Sequence, residues 1–208
     1  MPEEIKAIQT FYNGLWFRSR AEARWAVFFD ALSIKYIYEP EGFVLPENIC
    51  YLPDFYLPES NTFFEVKGIM TDKDADKIKS LLKHSGKHVA VGYPDMSFQA
   101  SDDWWSGSQG YEFTTKSSSL LVKCLCCGKY YFMGNNGSYV CRCCDAYDGD
   151  HHFSIQCWGD GSALGWADEI VKGAFSLARQ ARFEHGETPH TNTTTYVNGV
   201  KYVNGIPF

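Results

Sequence analysis

The residues of this chain best placed to do chemistry are one aspartate, one glutamate and one lysine, carried by Leu52-Pro53-Asp54-Phe55-Tyr56-Leu57 and Phe64-Glu65-Val66-Lys67-Gly68. Alternation with period two puts Glu65 and Lys67 on one face of a strand and turns Phe64 and Val66 to the other, apolar face. A hairpin between the two segments sets Asp54 opposite that pair. Two carboxylates then supply hard oxygen ligands for Mg²⁺ (or Mn²⁺), while the ammonium positions an attacking water or stabilises charge developing on a phosphate. The chemistry implied is hydrolysis of a phosphodiester.

Such a trio works only if the surrounding elements hold it in place. Ser19 to Leu32 reads as a helix, opened by Ser19 and Glu22 in S-x-x-E form, with Trp25, Phe28, Phe29 and Leu32 as a broad apolar stripe. Thr71 to His84 reads as a second helix, with Thr71 and Asp74 at its start, Ala75, Ile78, Leu81 and Leu82 facing inward, and Gly86 as its stop. Strands are expected at Ile34 to Tyr38, Tyr51 to Leu57, Thr62 to Lys67 and His88 to Tyr93. Glu22 carries two readings. Its carboxylate can close the capping box onto Ser19, or it can share the helical face of Trp25, Ala26 and Phe29 and point toward the sheet, where it wants a cation.

The resulting αβββαβ order over residues 1–93, with Pro53-Asp54 as PD and Glu65-Val66-Lys67 as ExK, resembles the PD-(D/E)xK nuclease superfamily. The resemblance implies an α/β, restriction-endonuclease-like core in which Asp54 and Glu65 hold Mg²⁺ (or Mn²⁺) and the carbonyl of Val66 completes the shell. Lys67 would then orient or activate water. Glu22 sits where many members of the superfamily carry an auxiliary ligand on the first helix. The resemblance extends to small nucleases of phages and mobile elements, and it implies endonucleolytic cleavage of DNA.

Six of the eight cysteines fall between 124 and 144. The pairs Cys124/Cys127 and Cys141/Cys144 are two C-x-x-C knuckles, each able to turn two thiolates toward one point and together to complete a tetrahedron around Zn²⁺. Tyr130-Tyr131-Phe132-Met133 and Ser138-Tyr139-Val140, joined by Gly134-Asn135-Asn136-Gly137, are expected to pair as the connecting hairpin. The arrangement resembles a zinc ribbon. Cys126 and Cys143 leave the ligand register open, His151, His152 or Cys157 could replace one cysteine, and a disulfide framework or an iron–sulfur cluster are the other readings of six clustered thiols. A closed four-thiolate site has no open position, so its metal is structural. Lys123, Lys129 and Arg142 with Tyr130, Tyr131 and Tyr139 offer a basic and aromatic surface.

A net charge of −6 argues against strong electrostatic binding of nucleic acid by the chain as a whole. Positive potential must then be local, from Arg18, Arg20 and Arg24 beside the cleft and from Arg179 and Arg182 on a C-terminal helix expected over Leu164 to His185. No membrane-length apolar run and no secretory leader are found, so a cytoplasmic location is expected. The domain reading is a core over 1–93, a linker over 94–121, a ribbon region over 122–160, the helix within 161–187 and a tail over 188–208, hairpin-like where Tyr-Val-Asn-Gly repeats at 196 and 202. Expected partners are DNA and a possible protein partner or second copy of the chain. The rival reading is a non-catalytic DNA- or protein-binding module on a nuclease-like scaffold.

Overall fold

The computed structural model describes residues 7–101, 119–134, 140–146, 153–160 and 167–183, with the backbone of 194–197, 200–203 and 206–207. Five strands form the largest sheet: β3 (Ile37–Tyr38), β6 (Phe55–Leu57), β7 (Thr62–Val66), β8 (His88–Gly92) and β9 (Phe98–Ala100), adjacent in that order. Neighbours are antiparallel except β7 and β8, whose parallel pairing requires a crossover. Helix α2 (Asp72–Ser85) supplies it. Thr71 and Asp74 cap each other's backbone amides reciprocally, and Gly86 closes the helix in the left-handed conformation that glycine adopts without strain. Helix α1 (Arg20–Ala31) is capped by the Ser19 hydroxyl, which accepts from the Glu22 amide at 3.1 Å.

Alternation divides the sheet's side chains between two layers. Phe55, Leu57, Phe64 and Ala90 face α1 and α3 (Glu169–Gln180), packing with Trp25, Phe28, Phe29 and Phe175. Phe63, Val89 and Val91 face α2, where Ile78, Leu81 and Leu82 meet them. A two-stranded flap of β4 (Phe43–Leu45) and β5 (Ile49–Tyr51) covers that second layer. Gly92 marks the tightest point of the first layer: a Cβ there would lie 2.4 Å from Cε2 of Trp25 and 2.6 Å from Cζ of Phe64. Gly92→Ala is therefore expected to cost about 1–3 kcal/mol, as overpacking of a filled core does, read as a lowered thermal midpoint.

Several expected elements differ. The strand expected over Tyr51 to Leu57 is two strands in two sheets, β5 and β6, because Pro53 has no amide hydrogen to donate to a ladder and the Asp54 amide turns to Glu65 instead. The strand expected from Ile34 is only Ile37–Tyr38, since the Ile34 amide is used by Phe29 O at the end of α1. A further hairpin, β1 (Thr10–Tyr12) and β2 (Leu15–Phe17), precedes α1 and turns on Asn13-Gly14, both at positive φ. Tyr12 and Asn13 fasten it by donating to the Asp30 carboxylate at 2.9 and 3.2 Å. Helix α3 is shorter than the expected Leu164 to His185: Asp168 takes an extended backbone as N-cap and Ala181 leaves the helical conformation.

A second sheet, ordered β11 (Tyr130–Gly134), β10 (Ser119–Cys124), β12 (Phe153–Trp158), is antiparallel throughout. Here Tyr130 to Met133 pairs with Leu120–Lys123; of its expected partner Ser138 to Val140, Val140 lies outside any strand and the rest falls outside the described residues. Leu120, Leu121 and Val122 form a strand buried on both faces, which favours the central position. One face, with Leu121, Phe132 and Cys157, completes the core around Trp25 and Phe28; the other, with Leu120, Val122, Tyr131 and Met133, packs on the cysteine region. The segment read as a linker contains β9 and the start of β10, and 102–118 within it lie outside the described residues. The tail forms β13 (Thr194–Val197), β14 (Val200–Val203) and β15 (Ile206–Pro207), an antiparallel meander.

Candidate active site and cysteine centre

The β6–β7 register sets Phe55 beside Phe64, so the residues one step outward, Asp54 and Glu65, meet at one end of the sheet. Both carboxylates are buried, and their backbones and side chains interlock. The Asp54 amide donates to Oε1 of Glu65 at 3.3 Å, and the Val66 amide donates to Oδ2 of Asp54 at 2.7 Å. Lys67 directs Nζ to Oε2 of Glu65 at 3.0 Å, while its amide donates to Gly92 O at 3.0 Å across the β7–β8 edge. The structure thus brings Asp54, Glu65 and Lys67 to one place.

Glu22 enters from α1 and its carboxylate bonds in two directions, without closing a capping box onto the Ser19 amide. Oε1 accepts from the Ser19 hydroxyl at 2.8 Å, and Oε2 accepts from the Tyr38 hydroxyl at 2.7 Å and the Arg18 amide at 3.1 Å. It is buried and its charge reaches Asp54, yet it does not join Asp54 and Glu65 as a third converging oxygen. Between them stands Arg18. Its Nη2 donates to Oδ1 of Asp54, and its Nε lies 2.9 Å from a Glu39 carboxylate oxygen.

The electrostatics follow from two carboxylates in little water. Burial, and after it the charge of Glu65, raise Asp54 well above the ordinary carboxylate range. Burial alone would lower Lys67, but the charges of Glu65 and Asp54 outweigh it and the side chain stays an ammonium. Lys67 in this state can orient water or meet negative charge; it holds no free pair to take a proton.

Tyr51, on the flap, is a site residue that sequence reading missed. Its hydroxyl is enclosed with no partner in hydrogen-bond geometry, and burial, then the charge and the neighbouring carboxylate of Glu65, raise its pKa, so it stays protonated. The signal available was its place three residues before Asp54 in the same segment. Tyr51→Phe is expected to leave the thermal midpoint of the metal-free protein unchanged or to raise it by up to ~1–3 kcal/mol equivalent, since an unsatisfied buried hydroxyl costs about that. A fall instead would mean that the hydroxyl already has a partner.

No family model, curated protein or solved structure matches this chain. What the site can do rests on the residues themselves.

The second centre is built from the two knuckles. Sγ atoms of Cys124, Cys127, Cys141 and Cys144 all lie within 4.8 Å of one another, with Cys124–Cys144 at 3.9 Å and Cys127–Cys141 at 3.6 Å. A tetrahedral ion with Zn–S of about 2.3 Å needs sulfurs about 3.8 Å apart, so the four could hold zinc. The knuckles match: Gly128 N donates to Cys124 O and Asp145 N to Cys141 O, with Gly128 and Asp145 both at positive φ. Burial would push the Cys141 thiol up, but the Tyr131 hydroxyl at 3.1 Å and the Cys144 and Cys143 amides at 3.4 Å bring it down to about 6. Burial pushes Cys124 up to about 12.

The remaining cysteine readings separate on position. Cys126 and Cys143 are exposed and outside the group, and none of the eight cysteines forms a disulfide. Cys157 faces the main core, on the opposite side of the β11–β10–β12 sheet, and cannot substitute for a ligand. His151, His152 and Tyr139 lie outside the described residues.

Of the expected basic surface of this region, Lys123 lies over the Tyr130 ring at 5.2 Å with both partly exposed, and the other described groups are taken up within the fold. Lys129 reaches Glu59 at 2.6 Å, Arg142 donates to Thr62 Oγ1 at 2.9 Å and Phe132 O at 3.1 Å, and Tyr131 is buried against the thiols. These groups clamp the knuckles to the start of β7. Of the five arginines expected to face nucleic acid, Arg18 lies in the site and Arg20 is partly exposed. Arg24 is half-buried with an enclosed Nε, Arg182 is exposed, and Arg179 stacks over Phe175 near the Asp95 carbonyl that follows β8. Among the described residues no helix is long and apolar enough to cross a membrane.

Proposed function

We propose that this chain is a divalent-metal-dependent nuclease of the PD-(D/E)xK type that hydrolyses phosphodiester bonds in DNA, with the four cysteines holding a structural zinc. The observation that carries the reading is two buried carboxylates, Asp54 and Glu65, at one sheet end with an ammonium on one of them and a guanidinium on the other. Buried like charges persist where a cation belongs with them. Their oxygens are the hard donors Mg²⁺ or Mn²⁺ prefers, so Asp54 and Glu65 would hold the ion, with the Val66 carbonyl as a further oxygen; Glu22 would join them only by giving up its bonds to Ser19, Tyr38 and the Arg18 amide. An ion bound there supplies Lewis acidity toward a phosphate and a more acidic bound water. Lys67 meets the negative charge that builds on the phosphate, and burial of both carboxylates excludes competing bulk water. An endonuclease acting in recombination or mobile-element DNA processing is the form of this activity we favour.

The test is cleavage of linear, nicked, branched and single-stranded DNA, with RNA alongside, in Mg²⁺, Mn²⁺ or chelator. Metal-dependent products from the wild type that vanish with Asp54→Asn support the reading. Retained DNA binding with no cleavage in any metal would replace it by a binding module on a nuclease-like scaffold.

A further inference from the structure

Arg18 holds a position that the proposed metal chemistry does not use and that obstructs it. It precedes the N-cap of α1, and its backbone is fixed: the amide donates to Glu22 Oε2 at 3.1 Å and to Tyr38 Oη at 3.0 Å. Its side chain is not enclosed. The guanidinium reaches in from solvent, half exposed, to an Asp54 side chain only 7% exposed, and its Nε keeps a second acceptor, Glu39, itself one-third exposed. A carboxylate oxygen that accepts a guanidinium N–H cannot give the same lone pair to a metal ion. Side-chain rotation alone suffices to release it, because no backbone hydrogen bond has to break.

We propose that Arg18 is an internal counter-cation of the carboxylate pair, displaced by the divalent ion and then free at the rim to bind the DNA phosphate. This rests on the reading of Asp54 and Glu65 as metal ligands. The displacement is an exchange of non-covalent partners: Asp54 Oδ1 gives up one N–H donor and gains an ion, and the guanidinium remains protonated throughout. It makes metal and DNA binding interdependent, since the ion sets free a phosphate-binding group, and linkage makes the effect reciprocal. Arginine suits this role because its fork can hold Glu39 and a second acceptor together.

The experiment is titration of the full, zinc-loaded chain with Mn²⁺ alone, in the absence of DNA, for wild type, Arg18→Gln, Arg18→Lys, Arg20→Gln and Asp54→Asn. Arg18→Gln should bind Mn²⁺ roughly three- to fivefold more tightly, as a partly exposed ion pair of ~0.7–1 kcal/mol and a factor of ten per 1.4 kcal/mol allow. Arg18→Lys should fall between. Arg20→Gln removes the same charge from a partly exposed residue two positions on, and should change the affinity less than about twofold at 0.15 M salt. In cleavage assays Arg18→Gln should raise KM for DNA and flatten the salt dependence by about one unit of slope. Unchanged or weaker Mn²⁺ binding by a folded Arg18→Gln, or an equal gain with Arg20→Gln, overturns the exchange while leaving the nuclease reading intact. Equal Mn²⁺ binding by wild type and Asp54→Asn removes the metal site and both readings with it.

Discussion

Glu65→Gln is expected to lower metal-dependent DNA cleavage by more than the ~100-fold that loss of even an outer partner costs a metal site, with little change in folding. The glutamine keeps an oxygen for the Asp54 amide but removes the charge that an ion and Lys67 both need. A second reading of the same site is its pH dependence. Asp54 sits above the ordinary carboxylate range, so proton and metal compete for it as pH falls toward that range from above. Apparent Mn²⁺ affinity should rise with pH until Asp54 is ionised and then level off, and Asp54→Asn should abolish that dependence. For stability the sign is opposite. A raised native pKa means that the folded state holds this proton more tightly than the unfolded chain, so the contribution is complete below the unfolded aspartate value of about 3.9 and is lost as pH rises through the native value. Saturating Mn²⁺ should restore it for wild type only, visible as a thermal shift. A cleavage rate within a few-fold of wild type for Glu65→Gln would remove Glu65 from the chemistry.

The other large effect is expected at the cysteines. Purified protein should contain about one zinc per chain, and Cys141→Ser should unfold more than the knuckles. A structural zinc contributes about 10–16 kcal/mol in isolated finger peptides at pH 7, as much as the whole stability of a typical domain, about 5–15 kcal/mol. Cys141 is the buried thiol that gathers the Tyr131 hydroxyl and two backbone amides, so the shorter, harder serine oxygen removes a zinc ligand and loosens three contacts at once. Cys126→Ser, exposed and outside the group, should retain zinc and stability. Iron with visible absorption would identify a cluster in place of zinc, and equal zinc loss from both variants would show that the register is shared among all six thiols.

Local signals were the legible part of this fold. Ser19 with Glu22 and Thr71 with Asp74 announced both early helices because a capping pair is contained within four residues. Asp54, Glu65 and Lys67 could be brought together on paper because one hairpin register settles their relation. Spacing also pointed to the outer cysteine of each pair, the two knuckles then being matched by their turns. What failed depended on distance along the chain. Leu120-Leu121-Val122 is apolar on both sides, so nothing in it says that it pairs with both β11 and β12. Asn13-Gly14 was a readable hairpin signal, but strands of three residues give alternation too little length to register. Arg18 and Asp54 are 36 residues apart, and no local pattern links an arginine before a helix to a carboxylate on another strand.

The shared core around Trp25 bears on how the chain is made. Its aromatic wall needs Phe132 from β11 and Phe175 from α3 to close over Phe28 and Phe64. Synthesis runs from the N-terminus at about 5–20 residues per second, so the apolar face of α1 waits on the order of ten seconds for its last cover. During that interval the nascent chain presents adhesive surface to its neighbours in the polysome. A genetic truncation after β8 would make that exposure permanent, and such a fragment should collect in inclusion bodies to a greater extent than the 208-residue chain.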